Sequence, residues 1–138
     1  MIAVDTNILA RYYVDDPTDP ESKKQRFIAQ RLMGETPGIF VPITVVLELV
    51  WILNSLYGFK AEHTAQAIEH LAGLPNVTVE DWTSVMQAAR LYRQGLDFAD
   101  ALHLARSSRC EAFYTFDDRK FARRAQEMSL LPDVVVPK

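Results

Sequence analysis

Acidic residues carry the chemistry that this sequence offers: Asp5, Glu48, Asp97, Asp100, Asp117 and Asp118. Asp5 closes the apolar run from Ile2 to Val4, where an ionised carboxylate loses hydration unless something pairs with it. Glu48 is the only charged residue between Ile39 and Tyr57, with Val45, Trp51 and Ile52 three or four positions away on an apolar helix face. Asp97 and Asp100 stand three apart at the start of a helix and share a face, and Asp117 with Asp118 follows a short apolar strand. Each acid also has a structural reading. Asp97, Asp117 and Asp118 suit helix caps, Asp100 suits the positive end of a helix dipole, and Glu48 suits a buried salt bridge.

Acids brought to one end of a parallel sheet would repel one another, and a divalent cation among them relieves the repulsion. Oxygen-only ligands without cysteine or paired histidine select Mg2+ or Mn2+ over zinc. Such an ion suits phosphate chemistry, because it binds phosphate oxygen and lowers the pKa of an attacking water. No serine, cysteine or lysine nucleophile is required.

The elements that must position these acids follow from short apolar runs alternating with helical periodicity. Strands are expected at Ile2 to Val4, Ile39 to Val41, Val77 to Val79, Ala112 to Thr115 and Val134 to Val136. Asn7 is the expected cap of a helix over residues 8–13. Further helices are expected over about 20–33, 44–57, 61–72, 82–94, 98–108 and 118–128, with Gly34, Gly58, Gly73 and Gly95 as stops. Strands separated by helices imply parallel crossovers, hence an α/β class: a three-layer α/β/α sandwich on a mostly parallel sheet of about five strands. In such sheets the functional crevice lies at the carboxyl ends of the strands, where Asp5 and Asp117 fall. The 138 residues suit a single domain, and no repeat or linker interrupts residues 1–138.

With 49% hydrophobic and 24% charged residues, disorder is excluded as the main state. One cysteine, Cys110, forms no internal disulfide and reads as a small buried hydrophobe. A reducing, cytoplasmic location is expected. The longest apolar stretch is too short to cross a bilayer, and no basic segment precedes an apolar one as in a secretory leader. The net charge of −3 argues against a surface wholly devoted to nucleic acid, but the charge is uneven. Residues 1–100 hold 8 basic and 13 acidic residues, whereas residues 101–138 hold 7 and 5.

Four ordered blocks carry a family resemblance: Met1-Ile2-Ala3-Val4-Asp5-Thr6-Asn7, Val45-Val46-Leu47-Glu48-Leu49, Asp97-Phe98-Ala99-Asp100-Ala101 and Thr115-Phe116-Asp117. Together the chain resembles the PIN domain, and more narrowly the VapC-type toxins of toxin–antitoxin pairs. The resemblance implies an Mg2+- or Mn2+-dependent endoribonuclease that cleaves RNA by metal-activated water. It implies Asp5, Glu48, Asp100 and Asp117 as catalytic metal-binding acids, with Asp97 and Asp118 auxiliary. Thr6, Asn7 and Thr115 match positions that orient or line such a site. It also implies a VapB-type antitoxin partner, a homodimer, and a higher hetero-oligomer with the antitoxin.

Arg119, Lys120, Arg123 and Arg124 follow Asp117 on one helix, and their spacing predicts a basic stripe for substrate phosphates, for an acidic partner or simply for solvent. His63, His70 and His103 read as surface or packing residues, and Trp51 as core, oligomer interface or a stacking partner for a base. Asp15, Asp16 and Asp19 read as a solvated turn. Three rival readings stand beside the toxin. One is an Asp-x-Asp phosphatase, for which Asn7 replaces the second acid; another is a non-catalytic PIN-like binding module. The third is a stand-alone PIN nuclease of RNA processing.

Overall fold

The computed structural model describes residues 1–138, which fold as two compact units, Met1–Trp82 and Thr83–Lys138. Unit one runs β1 (Ile2–Ala3), α1 (Thr6–Tyr13), α2 (Ser22–Glu35), β2 (Ile39–Val41), α3 (Ile43–Ser55), α4 (Ala61–Gly73) and β3 (Val77–Val79). The three strands form one parallel sheet in the order β1-β2-β3, with Ile2 opposite Ile39 and Ile39 opposite Val77. β-Branched residues at alternating positions bury Ile39, Val41, Val77 and Val79 on the inner face of the sheet. Leu9, Val46, Leu49, Leu53, Ile68 and Leu71 complete that core from the helices.

Helix α5 (Trp82–Arg93) leads into unit two, which continues with α6 (Phe98–Ala105), β4 (Ala112–Tyr114), a π-helical turn (Asp118–Ala122), α7 (Arg123–Glu127) and β5 (Asp133–Val135). β4 and β5 pair in parallel, Phe113 opposite Val134, over a core that includes Val85, Leu96, Phe98, Leu104 and Phe121.

The α/β class with all-parallel pairing is as the sequence predicts, and the five strands divide three and two between separate sheets instead of forming one. Strands of two or three residues make only a few ladder bonds each, and such short runs do not declare their neighbours in sequence. β1 is also more open than its apolar run implies: Ile2 and Ala3 are exposed and only Val4 is buried. It pairs with β2 alone, so an edge position leaves it open to solvent.

Two of the four glycines behave as helix stops in the usual way. Gly58 and Gly95 follow α3 and α5 with φ of 68° and 105°, in the region that L residues rarely adopt. Gly34 and Gly73 have no positive φ; α2 runs one residue past Gly34 to Glu35, and α4 ends on Gly73 itself. No helix is long and apolar enough to cross a membrane.

Candidate active site

In unit one, three acids lie beyond the carboxyl ends of the strands or on the helix that follows, Asp5 and Glu48 joined through Thr6 and Glu80 apart from them at the start of α3. Asp5 is the N-cap of α1: its backbone is extended (φ −89°, ψ 167°), and its carboxylate accepts the Thr6 N–H at 2.7 Å. Asn7, expected as the cap, is instead the second residue of α1, because Asp5 already satisfies the helix start two positions earlier. Thr6 is buried, and its hydroxyl donates to the Glu48 carboxylate. Thr6 therefore touches both acids, Asp5 through its backbone and Glu48 through its side chain.

Glu48 itself is exposed, which removes the buried salt bridge from consideration. α3 turns Val46, Leu49, Val50 and Leu53 inward, and this register leaves Thr44, Glu48, Trp51 and Ser55 facing out. Trp51 is 65% exposed and so is not a core residue. Asp5 is likewise exposed, so the desolvation expected from its apolar strand does not arise. The third acid, Glu80, was not singled out from sequence. It follows β3, and its side chain reaches Ile43 N at 2.9 Å, capping α3 where Pro42 offers no side-chain acceptor. Its position one residue beyond a buried Val-x-Val strand was the signal available.

In unit two, Asp97 is the N-cap of α6 and accepts the Asp100 N–H at 3.0 Å. Asp117 caps the π-helical turn and accepts the Lys120 N–H at 3.0 Å, while its own N–H donates to Thr115 Oγ1 at 3.0 Å. Asp100 is half-buried in the first turn of α6. Burial pushes its pKa up, the negative charges of Asp97 and Asp117 push the same way, and His103 pulls it back. Two neighbouring carboxylates thus act on Asp100 within this unit. His103 is exposed and stacks on Phe113, with ring centres 6.4 Å apart.

Asp118 is not a cap. It begins the π-helical turn and pairs with Arg123 at 3.0 Å. The wider turn makes residues five apart neighbours, which brings Arg123 to Asp118, and Arg119, Lys120, Arg123 and Arg124 are all exposed. Arg123 is spent on Asp118 and Arg124 on the Gly95 carbonyl, whereas Arg119 and Lys120 project without an ion pair. Cys110 is exposed, not buried.

Of the remaining candidates, His70 takes a packing role, bonded through Nδ1 to the Tyr13 hydroxyl at 2.8 Å beside Tyr12. Burial and the neighbouring Tyr12 raise the Tyr13 pKa. The loop of Asp15, Asp16 and Asp19 is ion-paired as well as solvated, Asp19 with Arg11 and Asp15 with Arg26.

All candidate donors are oxygens, which fits a hard divalent cation. Asp5, Asp97 and Asp117 each commit one carboxylate oxygen to a backbone N–H and keep the other. Within neither unit do three or more acidic, histidine or cysteine side chains stand close enough to hold an ion as they are placed.

Parallel α/β topology with carboxylates just past the strand ends defines a class of protein whose polar chemistry is built from acids at the sheet edge. The family follows from comparison with known proteins: the PIN domain model matches residues 2–127, and the chain belongs to that family. PIN domains are generally nucleases that use divalent metals. No curated protein matches the sequence.

Proposed function

We propose that this chain is a metal-dependent endoribonuclease, the toxin of a VapBC-type pair. The observation that carries the reading is the PIN family match over residues 2–127, which takes in Asp5, Glu48, Asp100 and Asp117, with Asp97 and Asp117 near enough to act on Asp100. Asp5, Glu48, Asp100 and Asp117 are assigned to Mg2+ or Mn2+, with Asp97 and Asp118 auxiliary. When bound, the cation supplies charge neutralisation on phosphate and a lower pKa for water. Within the protein, Thr6 orients Glu48, and the Thr115 hydroxyl fixes the backbone of Asp117. Asp5, Asp97 and Asp117 are steadied by the N–H groups they cap. Water adds to phosphorus and the bond to the 3′ oxygen breaks, leaving a 3′ hydroxyl and a 5′ phosphate.

The partner reading is that of the same proposal: an antitoxin peptide, a homodimer and a cytoplasmic location. Exposed apolar side chains support it, Trp51 and Leu56 at the end of α3 and Phe27 and Ile28 on α2.

The decisive experiment treats total cellular RNA with purified protein in Mg2+, in Mn2+, in chelator, and beside Asp100→Asn. Discrete metal-dependent fragments, absent with the variant, are expected. A second reading, a PIN-type binding module without turnover, is favoured by the spread of the acids within each unit. Metal binding with no cleavage by the folded protein would establish it instead.

A further inference from the structure

Beside the acids of unit two stands an aromatic residue with no structural work. Phe116 is 85% exposed and Tyr114 66% exposed, and neither ring packs on another ring. Phe113, on the opposite side of β4, turns inward to meet Phe121 at 5.4 Å between ring centres. The backbone on both sides of Phe116 is held. Thr115 N donates to Val135 O at 3.0 Å, the Asp117 N–H is bonded to Thr115 Oγ1, and the Asp117 carboxylate caps the next turn. The ring is thus presented outward from a fixed position, one residue from a candidate catalytic acid. Leaving a large apolar ring in water gives the fold nothing.

The surroundings decide what it faces. The next four residues, Asp117, Asp118, Arg119 and Lys120, are all exposed and charged. A protein-binding hot spot sits in an apolar patch depleted of charge, and this ring does not. An aromatic face flanked by unpaired cations matches the way single-stranded nucleic acid is held, by base stacking with phosphates on Lys and Arg. Arg119 and Lys120 are the two cations of this segment that no carboxylate or carbonyl engages.

We infer that Phe116 is a stacking platform for an unpaired base beside the scissile phosphate, with Arg119 and Lys120 on the flanking phosphates. The inference rests on the ribonuclease reading above and deepens it by naming the residues of this chain that would hold an unpaired base and its phosphates beside the cut. In a duplex the base is already stacked and the platform gains nothing.

The test measures binding and cleavage separately. Fluorescence anisotropy follows a labelled 12-residue oligouridine and a labelled RNA duplex of the same length, both in Mg2+, against wild type, Phe116→Trp, Phe116→Leu and Phe116→Ala. Stacking predicts that Trp binds oligouridine as well as Phe, that Leu binds more weakly, and that Ala loses roughly 5- to 100-fold. Duplex binding should change less than twofold. On any RNA the wild type cleaves, Phe116→Ala should raise KM and leave kcat nearly unchanged. Arg119→Ala and Lys120→Ala should weaken both probes alike and flatten the salt dependence by about one ion each.

Equal oligouridine affinity across the Phe116 series overturns the platform even if the wild type cleaves RNA. The full Trp, Leu, Ala order with no cleavage by wild type keeps the platform and removes the nuclease reading. A wild type that neither binds oligouridine nor cleaves RNA removes both.

Discussion

Burial and neighbouring carboxylates make Asp100 hold its proton more tightly in the fold, with a consequence for stability that does not depend on turnover. Its carboxyl is raised above the ordinary 3.8 by burial first and by Asp97 and Asp117 second. Below the unfolded value both folded and unfolded chains hold the proton, and the fold incurs no penalty from this group. As pH rises through the raised folded value the unfolded chain releases the proton more readily, so stability falls. In chelator, Asp100→Asn is therefore expected to melt higher than wild type at pH 7, and the difference should shrink as pH falls toward 4. Thermal melts across that range decide it, and a variant that melts lower at pH 7 would contradict the repulsion. Cation binding should reverse the ranking. Mg2+ or Mn2+ at a hundredfold excess over Kd stabilises a native-only site by about 2.7 kcal/mol, and Asp100→Asn should lose most of that shift. The acids themselves were legible in the sequence because charged side chains among apolar ones stand out. Their exposure was not legible: Asp5 sits beside an edge strand and Glu48 on the outward register of α3, and neither fact is visible in local composition.

At the scale of elements, capping and chemistry share the same carboxylates, and two substitutions separate them. Asp97→Ala removes both the acceptor for Asp100 N–H and the charge, and should cost about 1 kcal/mol of stability. Asp97→Asn keeps the acceptor, so its stability should stay within a few tenths of a kcal/mol of wild type. An auxiliary metal role would show as reduced cleavage in both variants, and a pure cap as reduced stability in the alanine variant alone. Glu80 is the corresponding case in unit one, where a side chain from just past β3 caps α3 on the crossover that leads to that strand. Glu80→Ala should also cost about 1 kcal/mol, read from urea midpoints, because the Ile43 N–H loses its partner. The cap was legible at Asp97, was placed two residues late at α1, where Asn7 was expected and Asp5 caps, and was missed at Glu80, which caps α3 from elsewhere in the fold although the start of α3 itself was expected within one residue. The π-helical turn at Asp118–Ala122 was illegible for a related reason: one extra residue per turn leaves the composition unchanged while re-pairing Asp118 with Arg123.

Over the whole molecule, the family match extends from residue 2 to residue 127 and so runs through both units. The order of the acid-bearing blocks was therefore the most informative feature of the sequence, since each block alone is short. The division of the strands into sheets of three and two was beyond it, because runs of two or three residues specify pairing weakly. The run from Thr44 to Tyr57 is apolar on nearly every face, and the structure leaves part of it uncovered. Its inward face is filled, yet Trp51 is 65% exposed and Leu56, one residue past α3, 68% exposed. Side chains of this size in water favour association, and a specific interface needs roughly 1,000 Å² of buried surface in total. Sedimentation equilibrium at micromolar concentration is expected to give twice the chain mass. Leu56→Glu should weaken the dimer by at least about tenfold, since a carboxylate placed in an apolar seam loses hydration without a partner. Leu56 is exposed in the single chain, so this variant should keep the wild-type melting temperature when extrapolated to low concentration. A wild type that stays monomeric throughout would assign the α3 surface to a different partner, and the same Leu56→Glu variant would then lose that partner and not its own copy.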